Sequence, residues 1–332
     1  MMNKHAKSPC CSAPVRRFGK RRRQCIQCKR TWSIRQKKRG RKPHRPALTL
    51  FQNILNGKET ATDSAMRRGV RPTTAQKHVR RTIQWFLCKS ASNPVPTGQP
   101  ILIVDGLWTY FHKEGRYTLY LMAARGIDDT NAHFLDPVLL PGRESLDGWK
   151  TAVAAIPDDV RQRICAMVSD GLRGLKKVAE ENGWIFQRCH FHLLAWFQKR
   201  HGQYFQRGKT KWMRDAILGY IQTMLETTDQ KKLHEFRKEL EIIIRHPDCP
   251  RYLAMRVREF LRTIDDFRTY LRYPKLNLPT TSNTVETMIR LLRNLLKRIH
   301  GTRTPRSFLQ WTTAYIRQRK TVMCNGKINR IS

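Results

Sequence analysis

The excess of positive charge is the feature of this sequence that most restricts what the chain can become. There are 65 Lys and Arg residues against 25 Asp and Glu residues, a formal net charge of +40 over 332 residues. A compact chain with this charge repels itself strongly unless a polyanion neutralises it. Hydrophobic residues make up 40% of the chain, which is too apolar for a disordered basic tail. The sequence therefore predicts a folded protein that binds nucleic acid.

The sequence also indicates where such a protein works. No apolar run approaches 18 residues, and the first residues lack the apolar region of a secretory signal. Nine cysteines, two of them spaced as Cys25-x-x-Cys28, favour reduced thiols and metal binding over a disulfide framework. We expect a cytoplasmic, nucleoid-associated protein with no membrane partner.

The first 46 residues concentrate the charge, with 17 Lys and Arg residues and no acidic residue before Glu59. Clusters at residues 20–23 and 37–42 would neutralise phosphates and release counterions. One interpretation of this segment is a disordered basic arm. The other is a zinc-ribbon-like segment, because four cysteines lie within it.

The four cysteines are Cys10, Cys11, Cys25 and Cys28, and they are candidate Zn²⁺ ligands. Two knuckles separated by a hairpin bring paired thiolates together around a tetrahedral ion. Cys25 and Cys28 have the spacing of a knuckle, whereas Cys10 and Cys11 are adjacent. Either Cys10 and Cys11 both bind the ion, or one binds it together with His5. A ribbon that no longer holds metal is the remaining alternative.

Residues 47–89 predict a helix-turn-helix DNA-binding region. Their apolar residues follow a helical period up to Gly57 and then in two further helices separated by Gly69. On the last of these helices, Lys77 and Arg80 face outward and are candidate DNA-binding residues. A small three-helix spacer is the alternative interpretation.

The segment 90–100 has the composition of a linker, and the periodicity changes after it. Strands are predicted at residues 101–104, 116–124, 132–140, 164–169 and 184–188, with helices at 146–156 and 174–182. Three strands followed by alternating helices and strands predict a mixed sheet with helices on its faces.

Two of these predicted strands end in an aspartate followed by a glycine, at Asp105-Gly106 and Asp170-Gly171. A single Asp-Gly pair is usually only a turn. Two carboxylates at the carboxyl ends of neighbouring strands, however, point into one crevice and provide the oxygen ligands that Mg²⁺ or Mn²⁺ prefers. A third acid is then required.

The candidate third acid is Glu286, near the start of a predicted amphipathic helix. Glu286, Arg290, Arg293 and Lys297 fall at i, i+4, i+7 and i+11, so they share one helix face. A carboxylate at the head of a row of cations suits a metal site that continues into a phosphate-binding track. An ordinary amphipathic helix with a solvated basic face is the alternative.

Together, Asp105, Asp170 and Glu286 resemble the catalytic acids of prokaryotic insertion-sequence DDE transposases, akin to the Mutator-like superfamily. Cys189 and His192 match the C-x-x-H signature of that branch. The resemblance implies a multidomain α/β protein: a zinc-ribbon-like segment, a helix-turn-helix, and a ribonuclease H-like core formed by residues 101–192 and 277–320. An all-helical insertion, residues 193–276, is implied between the two parts of the core.

The resemblance also implies an activity. The enzyme would bind the terminal inverted repeats of an insertion sequence, cleave the DNA there and join the freed 3′-hydroxyl ends to target DNA. Two Mg²⁺ or Mn²⁺ ions held by the three acids would serve both steps. Joining two double-stranded ends implies a homo-oligomer on DNA. Two alternatives stay open: a DNA-binding regulator that has lost the chemistry, and a metal-dependent structure-specific nuclease.

The implied helical insertion contains tryptophans that could contact DNA. Trp196 and Trp212 are candidates for stacking on an unpaired base, although such tryptophans are more often part of a core.

Overall fold

A computed structural model of the chain describes residues 8, 10–20, 22–33, 47–199, 210–299, 302 and 304–324. The chain divides into two compact units, Met1–Pro46 and Ala47–Ser332. The basic cluster at residues 37–42 and His5 lie outside the described residues. Each unit is described by itself.

The first unit contains a small antiparallel sheet. Its strands are β1 Val15–Arg17, β2 Arg22–Cys25 and β3 Thr31–Ser33, paired in the order β1-β2-β3. The turn between β1 and β2 contains Gly19 with a φ of +80°, a conformation that glycine adopts without steric cost. This hairpin separates the two cysteine pairs along the chain.

A mixed sheet forms the centre of the second unit. Its strands are β4 Ile101–Phe111, β5 Gly115–Arg125, β6 Asn131–Phe134, β7 Val138–Pro141, β8 Ala166–Ser169, β9 Ile185–Arg188 and β10 Thr321–Met323. They are ordered β10-β6-β5-β4-β8-β9, with β7 paired to β5. The pairs β4–β8 and β8–β9 are parallel and the others are antiparallel. A mixed α/β fold, as predicted, is therefore present.

The predicted strand at residues 132–140 is wrong as a single element. It consists of β6 and β7, separated at residues 135–137, and the two pair with different parts of β5. Pro137 lies in this break, and proline has no N–H group to continue a ladder of hydrogen bonds.

Helices cover both faces of the sheet. They are α1 Leu48–Leu55, α2 Ala61–Arg67, α3 Pro72–Lys89, α4 Leu146–Ala154, α5 Asp158–Arg161, α6 Leu175–Glu181, α7 His190–Lys199, α8 Lys211–Glu226, α9 Gln230–Arg245, α10 Arg251–Phe267, α11 Thr269–Arg272, α12 Asn283–Arg298 and α13 Pro305–Arg319. We call the face covered by α12, α13 and α1–α3 the front face, and the face covered by α4 and α6 the back face.

Alternation along β4 assigns its residues to these two faces. Ile103 and Leu107 pack in the front core with Val285 of α12, whereas Val104 packs in the back core with Trp149 of α4. Successive side chains of a strand point to opposite faces. Asp105 therefore lies on the front face, and residues 106, 108 and 110 lie on the back face.

The three N-terminal helices of this unit pack on the front core, with Phe51 and Val79 in the same cluster as Ile103. The expected linker, residues 90–100, has no helix or strand, yet it is held in place. Within it, the buried Asn93 side chain donates hydrogen bonds to the carbonyl oxygens of Phe134 (2.9 Å) and Ile316 (3.2 Å).

The helical segment between β9 and α12 has a core of its own. Helices α7–α10 contribute buried residues such as Met213, Leu240 and Phe260 to one cluster. In the described ranges, no helix is both long and apolar enough to cross a membrane.

Close packing around α4 gives a first prediction. A Cβ atom at Gly148 would collide with the phenol ring of Tyr120, which is 1% exposed and packs edge-on against Trp149 at 4.8 Å. We expect Gly148→Ala to lower the free energy of unfolding by about 1–3 kcal/mol, the usual cost of overpacking. Urea denaturation measures this change.

The matched control is Gly219→Ala in α8, where a Cβ atom meets nothing within 4 Å. There the loss of backbone entropy in the unfolded chain should raise stability by roughly 0.5–1 kcal/mol. Equal effects of the two substitutions would contradict the packing described for α4.

Candidate metal centre and nucleic-acid cleft

The parallel register of β4 and β8 places two carboxylates side by side. Ile103 pairs with Val168, so two further residues along each strand bring Asp105 opposite Asp170. Both strands run in the same direction, and their polar residues therefore meet at one edge of the paired region. The two predicted metal-binding aspartates are neighbours for this reason.

The parallel register extends from β8 to β9. Ser169 pairs with Arg188, which places Cys189 next to Asp170. The backbone N–H of Cys189 donates to the carbonyl oxygen of Ser169 at 2.7 Å, and α7 begins at the following residue. His192 thus enters the site in the first turn of α7.

Glu286 reaches the site from α12, on the front face. Its Oε1 atom lies 3.5 Å from Nε2 of His192. Ligand atoms of Asp105, Asp170 and His192 lie within 4.8 Å of one another, and so do those of Cys189, His192 and Glu286. His192 therefore belongs to both sets and joins the two aspartates to the glutamate.

The sulfur of Cys189 holds the starts of α7 and α12 together. It accepts a hydrogen bond from the backbone N–H of Ser282 at 3.2 Å and lies 3.3 Å from the Ser282 hydroxyl. It also accepts from the backbone N–H of His192. Burial raises the pKa of Cys189 to about 11, so the group is a neutral thiol near pH 7.

This arrangement explains the C-x-x-H spacing. A cysteine just before a helix can accept from the N–H group three residues later, as other N-cap residues do. The residue at that position is His192. Ser282 precedes α12, but its side chain does not cap that helix, and its hydroxyl contacts Cys189 instead.

Asp105 is a strongly perturbed acid of the site. It is 8% exposed, and burial together with the charges of Asp170 and Glu286 raises its pKa well above the usual range. The N–H group of Gly106, which donates to its carboxylate at 2.8 Å, opposes this only in part. Oxygen ligands in a buried, mutually repelling group fit a hard divalent cation, which would neutralise them.

Sequence reasoning missed a fourth acid, Glu144. A Cβ atom added to Gly106 would lie 2.8–3.0 Å from the atoms of the Glu144 carboxylate, so a side chain at this position would displace the carboxylate. Trp149 donates to Glu144 at 2.7 Å through its indole N–H. Burial and the charge of Asp170 raise the pKa of Glu144. No periodicity marks Glu144, and the glycine after Asp105 was the only local signal.

A cleft of about 1030 Å³ opens from these acids. Asp105, His192 and Glu286 lie along its wall, and Arg290, Arg293 and Lys297 of α12 continue it. All three cationic side chains are exposed. The structure therefore brings the predicted row of cations together with the acids in one continuous cleft.

The remaining predicted side chains lie on α3 and in the helical insertion. Lys77 and Arg80 are exposed on α3, opposite the buried Val79. Trp196 lines the cleft and packs against Phe197 in a perpendicular ring contact, which accounts for it as part of the insertion's core.

The second tryptophan of the insertion, Trp212, is away from that core. It is 53% exposed and packs edge-on against His246. It does not line the cleft described above.

In the first unit, all four cysteines come together. Ligand atoms of Cys10, Cys11, Cys25 and Cys28 lie within 4.8 Å of one another. Hydrogen bonds from the hydroxyl of Ser8 and the backbone N–H of Cys28 lower the pKa of Cys25 to about 6. A thiolate at this position suits Zn²⁺, and both adjacent cysteines, Cys10 and Cys11, are in place to bind it.

The comparisons with known proteins add no family to this description. The chain matches no protein-family model, no curated protein and no solved structure. The function of the site is therefore argued from its own residues and geometry.

A second prediction concerns the raised pKa of Asp105. An acid whose folded pKa is raised contributes stability below its unfolded pKa, and this is lost as the pH rises through the folded pKa. In EDTA at neutral pH, Asp105→Asn should therefore be more stable than the wild type by at least about 1 kcal/mol, or roughly 2–4 °C in Tm. The difference should vanish near pH 4, and Mn²⁺ should stabilise only the wild type.

The control is Asp128→Asn, in an exposed turn. It should leave Tm unchanged at both pH values. A wild type that is more stable than Asp105→Asn in EDTA at neutral pH would show that Asp105 is not repelled in the folded protein.

A third prediction concerns the cysteine cluster. We expect about one Zn²⁺ per chain after exhaustive dialysis, and a clear loss of bound zinc in Cys28→Ser, whose side chain is exposed. Atomic emission measures the zinc content. Cys88→Ser, at another exposed cysteine, is the control and should retain the metal.

Proposed function

We propose that this chain is a metal-dependent DNA transposase, which binds the ends of an insertion sequence, cleaves them and joins their 3′-hydroxyl groups to target DNA. The observation that carries the proposal is the meeting of Asp105, Asp170 and Glu286 around His192, with Asp105 and Glu286 on the wall of a cation-lined cleft. Three acids from three separated elements have no structural need to be adjacent, because their mutual repulsion is unfavourable.

The sheet supports a ribonuclease H-like core. Three antiparallel strands, β4–β6, are followed by two parallel strands that are connected through helices. Asp105 lies within β4, Asp170 directly follows β8, and the glutamate lies on a helix that packs on β4. This is the arrangement that the DDE resemblance implies.

The DNA contacts of the proposal fall into two groups. The first is the row Arg290, Arg293 and Lys297, which would hold the phosphates that lead to the scissile bond. The second is α3, proposed as the recognition helix of a helix-turn-helix, where Lys77 and Arg80 are exposed. With a net charge of +40, binding should depend steeply on salt.

The chemistry requires no covalent intermediate with the protein. Divalent ions bound to the carboxylates would activate the attacking oxygen and stabilise charge on the leaving oxygen. Asp105, Asp170 and Glu286 would hold these ions, and Arg290, Arg293 and Lys297 would orient the phosphate groups. His192 keeps the Glu286 carboxylate in position, since the two groups are 3.5 Å apart. Joining two ends implies at least two protomers on the DNA.

Single substitutions of the acids provide the fourth prediction. With duplexes taken from both sides of the coding sequence, Asp105→Ala, Asp170→Ala and Glu286→Ala should abolish cleavage and joining in Mg²⁺ or Mn²⁺. Their affinity for the same duplexes should remain, because binding relies on cations. Gel assays with labelled strands separate cleavage, joining and binding.

The control variants should lose binding affinity and keep the reaction. Lys77→Ala and Arg80→Ala should each weaken binding and reduce the salt slope by about 1, while bound complexes still react. A wild type that binds without cleaving would be a regulator, and one that cleaves without joining would be a nuclease. Near-normal cleavage by Asp105→Ala would overturn the proposal.

A further inference from the structure

The hairpin formed by β4 and β5 extends beyond the pairing of β4 with β8. That pairing covers residues 101–103, whereas β4 continues to Phe111 and β5 begins at Gly115. In the described part of the chain, residues 106–111 of β4 are therefore unpaired on the β8 side, while β5 pairs with β7 at residues 117–120.

The two faces of this part of β4 differ. On the front face, Phe111 is 2% exposed and packs edge-on against Phe308 of α13 at 5.6 Å and against Tyr117 at 5.3 Å. On the back face, Trp108 and Tyr110 are 62% and 64% exposed, the highest values among the described aromatic residues. The front-face ring is therefore part of a core, whereas the two back-face rings are exposed beside the buried Thr118.

Neighbouring exposed aromatic rings form an apolar patch, and such patches often mark binding sites. Trp108 and Tyr110 are two residues apart on one strand face, a spacing of about 6.7 Å. The Arg116 side chain, on the paired strand, lies over the Trp108 ring with its guanidinium carbon 5.4 Å from the ring centre. Two aromatic rings and a planar cation thus share one surface.

The charge of this surface favours a nucleic acid as its occupant. Arg116 and Lys113 are exposed at the end of the hairpin, within a protein of net charge +40. The one acid of the turn, Glu114, accepts a hydrogen bond from the hydroxyl of Tyr117, whose ring packs on the front face. The back face therefore presents rings and cations without an acid from the turn.

The surface is also near the proposed active site. Trp108 lies three residues beyond Asp105 on β4, about 10 Å along the strand and on the opposite face. The Glu144 carboxylate lies over Gly106, between the acids and Trp108. A DNA strand that leaves the cleft past the β4 edge not paired with β8 can reach these rings.

We infer that Trp108, Tyr110 and Arg116 form a stacking platform for unpaired bases of the DNA strand next to the cleavage site. The inference rests on the proposed function and adds a ligand class to it: single-stranded or splayed DNA, in addition to duplex. Aromatic side chains stack on any base, so the platform recognises an unpaired strand and not its sequence. Arg116 contributes its cation–π contact and attracts the phosphates.

The experiment compares two DNA ligands in EDTA, where no cleavage takes place. One is a blunt duplex and the other is the same duplex with a three-nucleotide unpaired tail that contains 2-aminopurine. The wild type should bind the tailed duplex more tightly and quench the 2-aminopurine signal. Trp108→Ala and Tyr110→Ala should each reduce this preference about 5-fold to 150-fold, the range measured for one stacked base, with affinity for the blunt duplex retained.

Two further variants keep the result specific. Trp108→Phe should preserve the preference, because a ring remains, and Trp212→Ala should preserve it as an exposed tryptophan outside the platform. Thermal unfolding should be unchanged in every variant, since the substituted rings are largely exposed. A tail preference that survives both alanine substitutions would overturn the inference.

Two other outcomes have separate meanings. If Trp108→Ala changes the sedimentation of the free protein and not its DNA binding, the face contacts a second copy of the chain, and the platform is refuted. If Trp108→Ala and Tyr110→Ala lose the preference for the tailed duplex but Asp105→Ala still cleaves DNA, the proposed function fails while the platform stands.

Discussion

The sulfur atom of Cys189 is the contact on which the geometry of the site depends. It accepts hydrogen bonds from the backbone at the start of α7 and the start of α12, while its own N–H group donates to Ser169. One residue therefore fixes the element before Asp170 and the helices that carry His192 and Glu286. Polar contacts of a fully buried group are costly to disturb, because a lost partner leaves an unsatisfied donor.

This rigid junction makes a cluster of repelling carboxylates possible. Burial and neighbouring charges raise the pKa of both Asp105 and Glu144, so the acids are held together at a cost in free energy. Folded proteins retain such unfavourable groups where the surrounding structure is stable enough to enforce them. Here three separate hydrophobic cores, two on the sheet and one in the helical insertion, provide that stability.

Local sequence patterns predict part of the candidate site, and contacts between residues far apart in the sequence determine the rest. The sequence predicts that both aspartates end a buried strand, but β4 continues through Asp105 to Phe111, and only Asp170 follows its strand. The parallel register of β4 and β8 makes the two aspartates neighbours. The cation row of α12 is visible because helical periodicity is a property of one segment. The role of Cys189 was not visible, since its partner Ser282 is 93 residues away. Glu144 was missed for the same reason, because only the fold brings it against Gly106.

The distribution of charge connects the fold to the proposed activity. Acids meet at one end of the cleft, and Arg290, Arg293 and Lys297 extend from them along one helix face. A polyanion is attracted by the row of cations and repelled by the metal-free acids. Cations bound at the acids would reverse the local sign, so that a phosphate group is attracted along the whole cleft. In the proposed reaction, the residues that would hold the metal ions would therefore decide whether DNA only binds to the protein or also reaches the centre where it reacts.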